Sequence, residues 1–574
     1  MTRGYFPKEL PPAFFTERFG KYANTKSGRQ ILANYKPTDN YTECVKYFLA
    51  LPGGHRRELK IPHPASFSML AGLSAKNFRR LLSKAGKSPF SKSRPIYASN
   101  RLRALQTAFT PSSLGTERAL RRAGGSFILR ADVSQFYPSL YTHAVGWAID
   151  PKSRKKIHWK NPKLLGNKLD QALMNLDGKL SQGIPIGNDI SFLLAECVLA
   201  QVDAALAVSS TRGYRWFDDY EVAFDTQEQA EACMKRLTSE LARFRLRLNP
   251  IKTKIVRLPR AAEEEWQMHL AQTGGRPKID ARGMVKHFDT AFRLREQYPD
   301  SHVLLYALGV LFGINCPSPQ VGRIAQSCLT QALLCEPGAA QKAFALISYW
   351  LMNGFSIDAE LLTGTINQLI LRHQASGPSS DVAWALSFCI DQGLMLDSKA
   401  GKALSRLDDD CIALQALHMS SLGLLPKGFT TSHISKTLKN VELDREHWLI
   451  GYEAVRQGFL NDSEQAVNAN PLFSDFLKNK VSFYRNHLPK YASVVHSGGA
   501  PQWVVRKWIE SSLKVEATRP GMLPGDAIPK QIADDLARWR ALLADASAEE
   551  AVAGLLDLPE GEALPDEDGS TYLG

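Results

Sequence analysis

The sequence lacks several features that would place it in common protein classes. Its eight cysteines are scattered, with no C-x-x-C pair and no matching histidine spacing, so neither a zinc module nor a disulfide framework is expected. No stretch approaches the roughly 18 consecutive apolar residues of a membrane span, and the first residues lack the apolar core of a signal peptide. These absences favour a soluble, intracellular protein that does not cross a membrane.

Acidic residues are scarce in the first half of the chain. Residues 1–260 contain 43 lysines and arginines against 20 aspartates and glutamates, whereas the remaining residues contain 28 against 37. The positive balance suits an N-terminal part that binds polyanions, and the mildly acidic remainder suits a different role. Charge alone does not identify a nucleic-acid site, so the motifs have to decide.

The overall composition is that of an ordinary globular protein. With 574 residues, 44% of them hydrophobic, the chain is long enough for about three or four folding units of roughly 100–200 residues each. Between about 126 and 260, short β-prone runs alternate with helical runs, which predicts an α/β core.

After about residue 300 the sequence becomes a series of Ala- and Leu-rich helical segments with almost no strand signal. Their spacing of roughly 35–45 residues per helix pair is typical of degenerate HEAT-like repeats stacked into a solenoid, with an irregular helical bundle as the alternative. From about 540 the chain is acidic and rich in proline and glycine, which predicts partial disorder.

Three aspartates stand at positions where a sheet would bring them together. Asp132 ends an apolar run in ILRADVSQFYPSLYTH, and Asp218 and Asp219 interrupt the hydrophobic run YRWFDDYEVAF. The second pattern predicts a hairpin with the acidic pair at its tip, although an isolated Asp-Asp pair is most often a solvated turn. Together the two segments predict a cluster of three carboxylates.

Such a cluster is unfavourable without cations, because like charges a few ångströms apart repel strongly in a partly dehydrated site. Hard divalent metals relieve that repulsion. Two Mg²⁺ ions held by carboxylate oxygens can activate an attacking hydroxyl and stabilise a leaving pyrophosphate in an in-line displacement. The cluster is compatible with a two-metal nucleotidyl transfer, and the surrounding motifs decide between that chemistry and a solvated turn.

The order of four motifs is more specific than any one of them. The strand-end aspartate with its following aromatics precedes SQGIPIGNDISFLLAECV, then the acidic hairpin, then LNPIKTKI. This succession resembles motifs A, B, C and D of the reverse transcriptase palm. The segments FYPSLYTHAVGWAI, LLGNKLDQAL and QGIPIGNDISFLLAE, with the helical repeats, resemble more narrowly the abortive-infection (Abi) and defence-associated reverse transcriptases of bacteria.

The resemblance implies an α+β fold of reverse-transcriptase fingers and palm, followed by an all-α domain of HEAT-like helical repeats. The implied ranges are an N-terminal fingers region at 1–125, the palm at 126–265, a connector or thumb-like segment at 266–300, the helical repeat domain at 301–515, and a C-terminal helix with an acidic, partly disordered tail at 516–574.

The family's metal ligands carry over to four residues. The resemblance implies that Asp132, Asp218 and Asp219 are the catalytic carboxylates and ligate two Mg²⁺ ions, for which Mn²⁺ can substitute. The backbone carbonyl of Val133 is implied as a further ligand. All three acids are present, which argues against a decayed enzyme.

The nucleotide-binding residues carry over less securely. Tyr137 stands where reverse transcriptases place the aromatic that blocks a ribose 2′-hydroxyl, so deoxynucleotides are the implied substrates, with palm packing as its alternative role. Gln182 and Gly183 would contact the incoming nucleotide. Lys252 would lie near its triphosphate, although Lys254 is also within reach of that role.

One motif departs from the family pattern. Motif C of reverse transcriptases usually begins with tyrosine two residues before the acid pair, and this chain has Trp216 there, followed by Phe217. Both residues are apolar and aromatic, so we expect the hairpin to form, with a different placement of the primer end.

A basic segment beside the palm has two open interpretations. In DPKSRKKIHWKNPK the cations Lys152, Arg154, Lys155 and Lys156 precede a tryptophan. They could grip a phosphate backbone while an aromatic ring stacks on a base, or they could form a solvated loop.

The resemblance implies an anti-phage polymerase of dNTPs in the bacterial cytoplasm that contributes to abortive infection. Because solenoid surfaces commonly mediate assembly, we also expect a homo-oligomer. Members of the group include enzymes that extend DNA without a template, some of them primed from a protein side chain, so the DNA product can be attached to the protein. Two alternatives stay open. One is a reverse transcriptase that copies a dedicated RNA, and the other is a vestigial palm on a helical interaction scaffold.

Overall fold

The computed structural model describes residues 1–98, 103–207, 212–272, 280–312, 314, 318–377 and 380–487. The implied C-terminal helix and acidic tail at 516–574 lie outside the described residues, as does the last part of the implied repeat domain, 488–515. Among the helices in these ranges, none is both long and apolar enough to span a bilayer.

The N-terminal part combines short helices with two small antiparallel hairpins, β1–β2 and β3–β4. Its elements are α1 (Glu17–Ala23), α2 (Lys26–Asn34), β1 (Val45–Ala50), β2 (Arg56–Ile61), α3 (Pro64–Lys76), α4 (Phe78–Ala85), β3 (Pro95–Tyr97), β4 (Leu105–Thr107) and α5 (Leu114–Arg122).

A four-stranded antiparallel sheet in the order β6-β7-β5-β8 forms the centre of the next part. The elements are β5 (Phe127–Asp132), α6 (Phe136–Ser139), α7 (Thr142–Ile149), α8 (Leu165–Met174), α9 (Asp189–Leu206), β6 (Gly213–Trp216), β7 (Asp219–Phe224), α10 (Gln227–Arg243) and β8 (Lys254–Arg257). The α/β core expected from the sequence is therefore confirmed.

Burial explains why these runs become strands and helices. Strand β5 is mostly buried along its length, as expected for a central strand with helices laid against the sheet. Helix α10 packs across β5 and β7 and begins with a capping box in which Thr226 and Gln229 satisfy each other's backbone amides. The apolar helix α9 begins at the cap of Asn188 and packs against α10 and α4.

The remainder of the described chain is helical. Its elements are α11 (Glu265–Gln272), α12 (Ala281–Gln297), α13 (Val303–Leu311), α14 (Pro319–Cys335), α15 (Ala340–Met352), α16 (Ala359–Ser376), α17 (Ser380–Gln392), α18 (Ser398–Leu404), α19 (Asp410–Ser421), α20 (Ser432–Lys439), α21 (Trp448–Arg456), α22 (Glu464–Ala469) and α23 (Pro471–Lys478).

The long helices stack in two layers. Each helix from α12 to α17 contacts the helix two positions further along, so alternate helices share a layer. This is the stacking of helix pairs that a solenoid requires, because one pair cannot bury its apolar faces alone. The stack includes α12, which lies within the 266–300 range assigned to the connector.

The helical half folds back onto the beginning of the chain. Residues 13–15 and 483–485 exchange backbone hydrogen bonds, and Phe14 pairs with Tyr484 in an isolated β-bridge. Phe19 packs against Phe476 and Phe483. One hydrophobic cluster therefore runs from the N-terminal segment through the four-stranded sheet to the last described helices.

A buried aspartate connects the helical half to the N-terminal part of the chain. Asp444 accepts hydrogen bonds from the Tyr35 hydroxyl at 2.5 Å and from the backbone amide and hydroxyl of Thr38 at 3.0 and 3.2 Å. Its own carbonyl accepts from the amide of Glu43 at 2.9 Å. These contacts fix the helical half against the segment that precedes β1.

Replacing Asp444 should loosen this junction locally. Asp444→Ala leaves the donors of Tyr35 and Thr38 without their acceptor, a loss of about 1–3 kcal/mol. We expect amide hydrogen exchange in residues 35–50 to become about 5- to 100-fold faster. The matched control is Asp462→Ala, because the contacts of Asp462 among the described residues, with Ser435 and Lys439, lie within the helical half. Unchanged amide hydrogen exchange at residues 35–50 in Asp444→Ala would contradict the role of Asp444 in this junction.

Candidate active site

The sheet register brings two of the three predicted carboxylates face to face. Asp132 at the end of β5 is the direct partner of Asp219 at the start of β7. Asp218 lies in the two-residue turn between β6 and β7, and its carbonyl oxygen accepts a hydrogen bond from the amide of Val133 at 3.1 Å. The acidic hairpin is thus confirmed, with its tip tied to the end of β5.

The segment at residues 248–252 packs against the end of β5. The amide of Asn249 donates to the carbonyl of Asp132 at 2.7 Å, and Val133 forms an isolated β-bridge with Leu248. The turn that follows carries Lys252, whose Nζ lies 3.0 Å from Oδ2 of Asp132. The lysine therefore reaches the carboxylate cluster itself, where its positive charge offsets part of the local repulsion.

The acid pair of the hairpin titrates abnormally. Burial raises the pKa of Asp218, and the charge of Asp132 adds to the rise. The side chain of Asp219 is partly exposed. Partial desolvation nevertheless raises its pKa to about 7, and the charges of Asp218 and Asp132 add to the rise. The hydrogen bond to Asp132 raises the pKa of Lys252 against the opposing effect of partial burial.

A buried ionic network lies beneath the hairpin. Arg215 in β6 is completely buried and forms ion pairs with Glu196 at 3.0 Å and Asp203 at 2.7 Å, both on α9. Ser91 and Ser93 donate to Glu196 as well. The network connects the acidic hairpin to α9, the helix that follows the glycine loop at residues 182–187.

The same network holds the turn in an unusual backbone conformation. Phe217 has a φ of 51°, which is uncommon for a residue other than glycine. Its carbonyl accepts from Arg215 at 2.6 Å, and its amide donates to Ser93 at 2.7 Å. Its ring contacts Trp216 and Phe192. The expectation that a hairpin forms with tryptophan at position 216 is confirmed.

The residues assigned to nucleotide binding lie on adjacent backbone segments. The amide of Ile184 donates to the carbonyl of Tyr137 at 3.1 Å, and that of Gly183 to Leu140 at 3.0 Å. Gln182 is exposed beside them and pairs with Tyr141 in a β-bridge.

Gly183 is required by this arrangement. Its φ is +87°, and a Cβ built there would lie 3.2 Å from the carbonyl oxygen of Pro138. The loop at residues 182–187 can therefore lie against the segment that follows β5, which brings Tyr137, Gln182 and Gly183 together; their predicted contact with a nucleotide stays a prediction.

The charge of Arg57 acts on this region, which sequence reasoning missed. Arg57 on β2 is close enough for its charge to oppose the rise in pKa that burial causes at Asp218, and it also acts on Tyr137. Burial, with Arg57, lowers the pKa of His302, which precedes α13. Arg57 stands in RRELK among many basic residues, and no local signal separates it from the rest.

The predicted basic residues occupy a different place. Lys152, Arg154, Lys155 and Lys156 are exposed on short turns after α7, and Arg154 packs its guanidinium over the Trp147 ring. Arg154 and Lys156 line a cleft of their own with two tryptophans.

The carboxylates offer oxygen ligands of the kind that Mg²⁺ prefers. Within the described ranges no three His, Cys, Asp or Glu side chains are arranged closely enough to form a ready metal site. The pair across the strands, the neighbouring Asp218 and the raised pKa values nevertheless fit a cluster short of positive charge. The donor chemistry therefore fits hard divalent cations.

Comparisons with known proteins add little. No family model and no curated protein matches the sequence. Among solved structures, apo telomerase from Candida tropicalis aligns with 72% of this chain and 74% of its own at 10% identity and a TM-score of 0.30. Telomerase from Candida albicans, in complex with a fragment of telomeric RNA, aligns with 61% of this chain and 67% of its own at 13% identity and a TM-score of 0.27. Likeness of this extent assigns no role to any residue.

Removing the buried arginine should destabilise the hairpin. Arg215→Met leaves Glu196 and Asp203 buried without their cation, which costs about 3–5 kcal/mol. We expect a Tm several degrees below that of the parent protein in a thermal melt. The control Arg212→Met, which removes a surface ion pair with Asp225, should change the Tm little.

A second variant tests the cause. Glu196→Gln and Asp203→Asn, added to Arg215→Met, remove the uncompensated charges and should recover part of the lost Tm. An Arg215→Met protein that melts with the Arg212→Met control would contradict the role of this network.

Proposed function

We propose that this chain is a DNA polymerase of the reverse transcriptase type that adds deoxynucleotides by two-metal catalysis. The observation that carries the proposal is the pairing of Asp132 with Asp219 across adjacent strands, with Asp218 tied to Val133 in the turn beside them. Carboxylates concentrated at strand ends are unfavourable unless a cation or a proton compensates them. A polymerase active site, in which divalent cations bind such carboxylates, accounts for the arrangement.

Asp132, Asp218 and Asp219, with the carbonyl of Val133, would hold two Mg²⁺ or Mn²⁺ ions. When bound, these ions would make a primer hydroxyl more nucleophilic and stabilise the charge of the leaving pyrophosphate. The oxygen-only donor set and the raised pKa values of Asp218 and Asp219 support this assignment.

The protein's own residues would position the nucleotide. The ring of Tyr137 would lie under the sugar and exclude a ribose 2′-hydroxyl, so that dNTPs are the substrates. The backbone at Gln182 and Gly183 runs beside Tyr137 and, without a Cβ at Gly183, leaves room for a flat base and sugar.

Two cations would act on the triphosphate. The charge of Arg57 on β2 acts on Asp218, and this guanidinium would bind phosphate oxygens. Lys252 holds Asp132 in this structure. Lys252 would leave Asp132 once bound cations neutralise that carboxylate. Its ammonium group would then contact the triphosphate and donate a proton to the leaving pyrophosphate.

The narrower biological assignment rests on the sequence motifs. We infer an Abi-type or related bacterial defence enzyme that acts in the cytoplasm as a homo-oligomer and limits phage through abortive infection. The same resemblance supports synthesis without a template, primed from the protein, so that the DNA product is covalently attached. RNA is the partner in the templated version of the reaction.

Loss of one carboxylate should abolish synthesis. Asp218→Asn removes a metal ligand, which lowers transition-state stabilisation by several kcal/mol, so incorporation of labelled dNTPs with Mg²⁺ should fall roughly 10²- to 10⁴-fold. The matched control is Asp225→Asn, an exposed aspartate just after the end of the same strand β7, which should retain the activity of the parent protein.

Enzymatic digestion separates the modes of synthesis. Incorporation without added template that resists ribonuclease, with a product that migrates with protein until it is digested by protease, is the expected result. Incorporation abolished by ribonuclease would replace the template-free version with a templated one. The polymerase proposal would be contradicted if Asp218→Asn incorporated as much as the parent protein. It would also be contradicted if neither protein incorporated dNTPs with supplied primer-template and phage-infected extract.

A further inference from the structure

A cleft of about 270 Å³ lies between α7, the turns that follow it, and α8. It contains none of the residues assigned to catalysis or nucleotide binding. Its walls carry two tryptophans, Trp147 and Trp159, and two cations, Arg154 and Lys156. Aromatic rings and cations side by side are the combination that single-stranded nucleic acid contacts with its bases and phosphates.

The apolar part of the cleft is unusually open. Trp159 is 58% exposed and the neighbouring Ile157 is 84% exposed, although both lie in a strongly basic segment. The ammonium of Lys160 lies 4.8 Å from the Trp159 ring centroid, and the guanidinium of Arg154 lies 5.2 Å from that of Trp147. Large apolar rings kept at the surface among cations are suited to stacking on a flat partner.

Buried polar atoms at the cleft also lack partners. The hydroxyl of Ser153, which is 5% exposed, makes no hydrogen bond within the described structure. The same holds for Oδ1 of Asp170, whose other oxygen bonds His143. Because buried polar atoms are nearly always paired, such atoms beside a cleft point to a partner supplied from outside.

The walls of the cleft are fixed rather than loose. The side-chain amide of Asn167 donates to the carbonyls of His158 and Asn161 at 2.8 and 2.9 Å, which ties the tryptophan-bearing turn to α8. Helices α7 and α8 meet at Gly146 and Gly166, where a Cβ on Gly166 would lie 2.3 Å from the Gly146 carbonyl oxygen. A preformed cleft loses little conformational freedom when a ligand binds.

A line of aromatic and basic groups connects the cleft to the glycine loop. Tyr141, which pairs with Gln182, contacts the rings of His143 at 4.5 Å and Trp147 at 5.8 Å. The guanidinium of Arg245 lies 4.6 Å from the Tyr141 centroid. The line offers successive stacking and phosphate contacts along the route a strand would take.

We propose that this cleft binds single-stranded nucleic acid outside the active site, with one base held between Trp147 and Trp159 and the adjoining phosphates on Arg154 and Lys156. The ligand is a DNA or an RNA strand, and the binding requires neither a divalent cation nor a nucleotide. The proposal goes beyond polymerisation, because it assigns a separate holding site to the strand.

The test is the affinity of the full-length protein for fluorescently labelled 20-nucleotide single strands, one of DNA and one of RNA, with EDTA and without dNTPs. Trp159→Ala should weaken binding about 5- to 100-fold in fluorescence anisotropy, and Trp159→Phe should restore most of it. Arg154→Ala with Lys156→Ala should lower the slope of log K against log salt by about 1.4.

Three controls keep the result specific. Met395→Ala removes another exposed apolar side chain, on the helical half, and should bind as the parent protein does. Each variant should melt at the parent Tm, because Trp159 and the two cations are exposed. An Asp218→Asn protein should bind the strands normally, so failure of the polymerase would leave this test intact.

The comparison of strands and variants decides the outcome. Tighter binding of the DNA strand identifies the product as the ligand, and tighter binding of the RNA strand identifies a template or other RNA. Unchanged affinity in Trp159→Ala would overturn the proposal. So would a loss caused by the cation variants alone, because it would reveal a surface that attracts polyanions without holding a base.

Discussion

One buried arginine fixes the position of the acidic hairpin. Arg215 has no exposure to solvent, and its guanidinium is shared between two carboxylates of α9 and the carbonyl of Phe217. Charges removed from water are stable only when they are paired and hydrogen-bonded in a well-defined geometry. That requirement keeps the turn in its strained conformation and places Asp218 and Asp219 opposite Asp132.

The return of the helical half to the N-terminus is the second constraint. Because α23 and the segment after it pack on the first residues of the chain, the N-terminal part, the sheet and the helical stack share one hydrophobic core. The charge of Arg57 on β2 acts on the pKa of Asp218 and of Tyr137, and also on that of His302, which precedes α13.

Local sequence predicted the features that depend on local rules. The strand ending at Asp132, the hairpin at Asp218 and Asp219, and the glycine loop before α9 each follow from patterns of a few residues. The roles of Arg57 and the pairing partners of Arg215 could not be predicted, since each depends on contacts between residues far apart in the chain. The basic segment was recognised, but its cleft depends on how α7 and α8 pack.

The most direct test of a two-metal site is the binding of Mn²⁺ to the full-length protein in the presence of a non-hydrolysable dNTP, followed by electron paramagnetic resonance. The account predicts two bound ions per chain, close enough for their spins to couple, and loss of that coupled signal in Asp132→Asn. An Asp225→Asn protein should bind as the parent does. Binding that is weak, single or unaffected by Asp132→Asn would contradict the assignment of this cluster to catalysis.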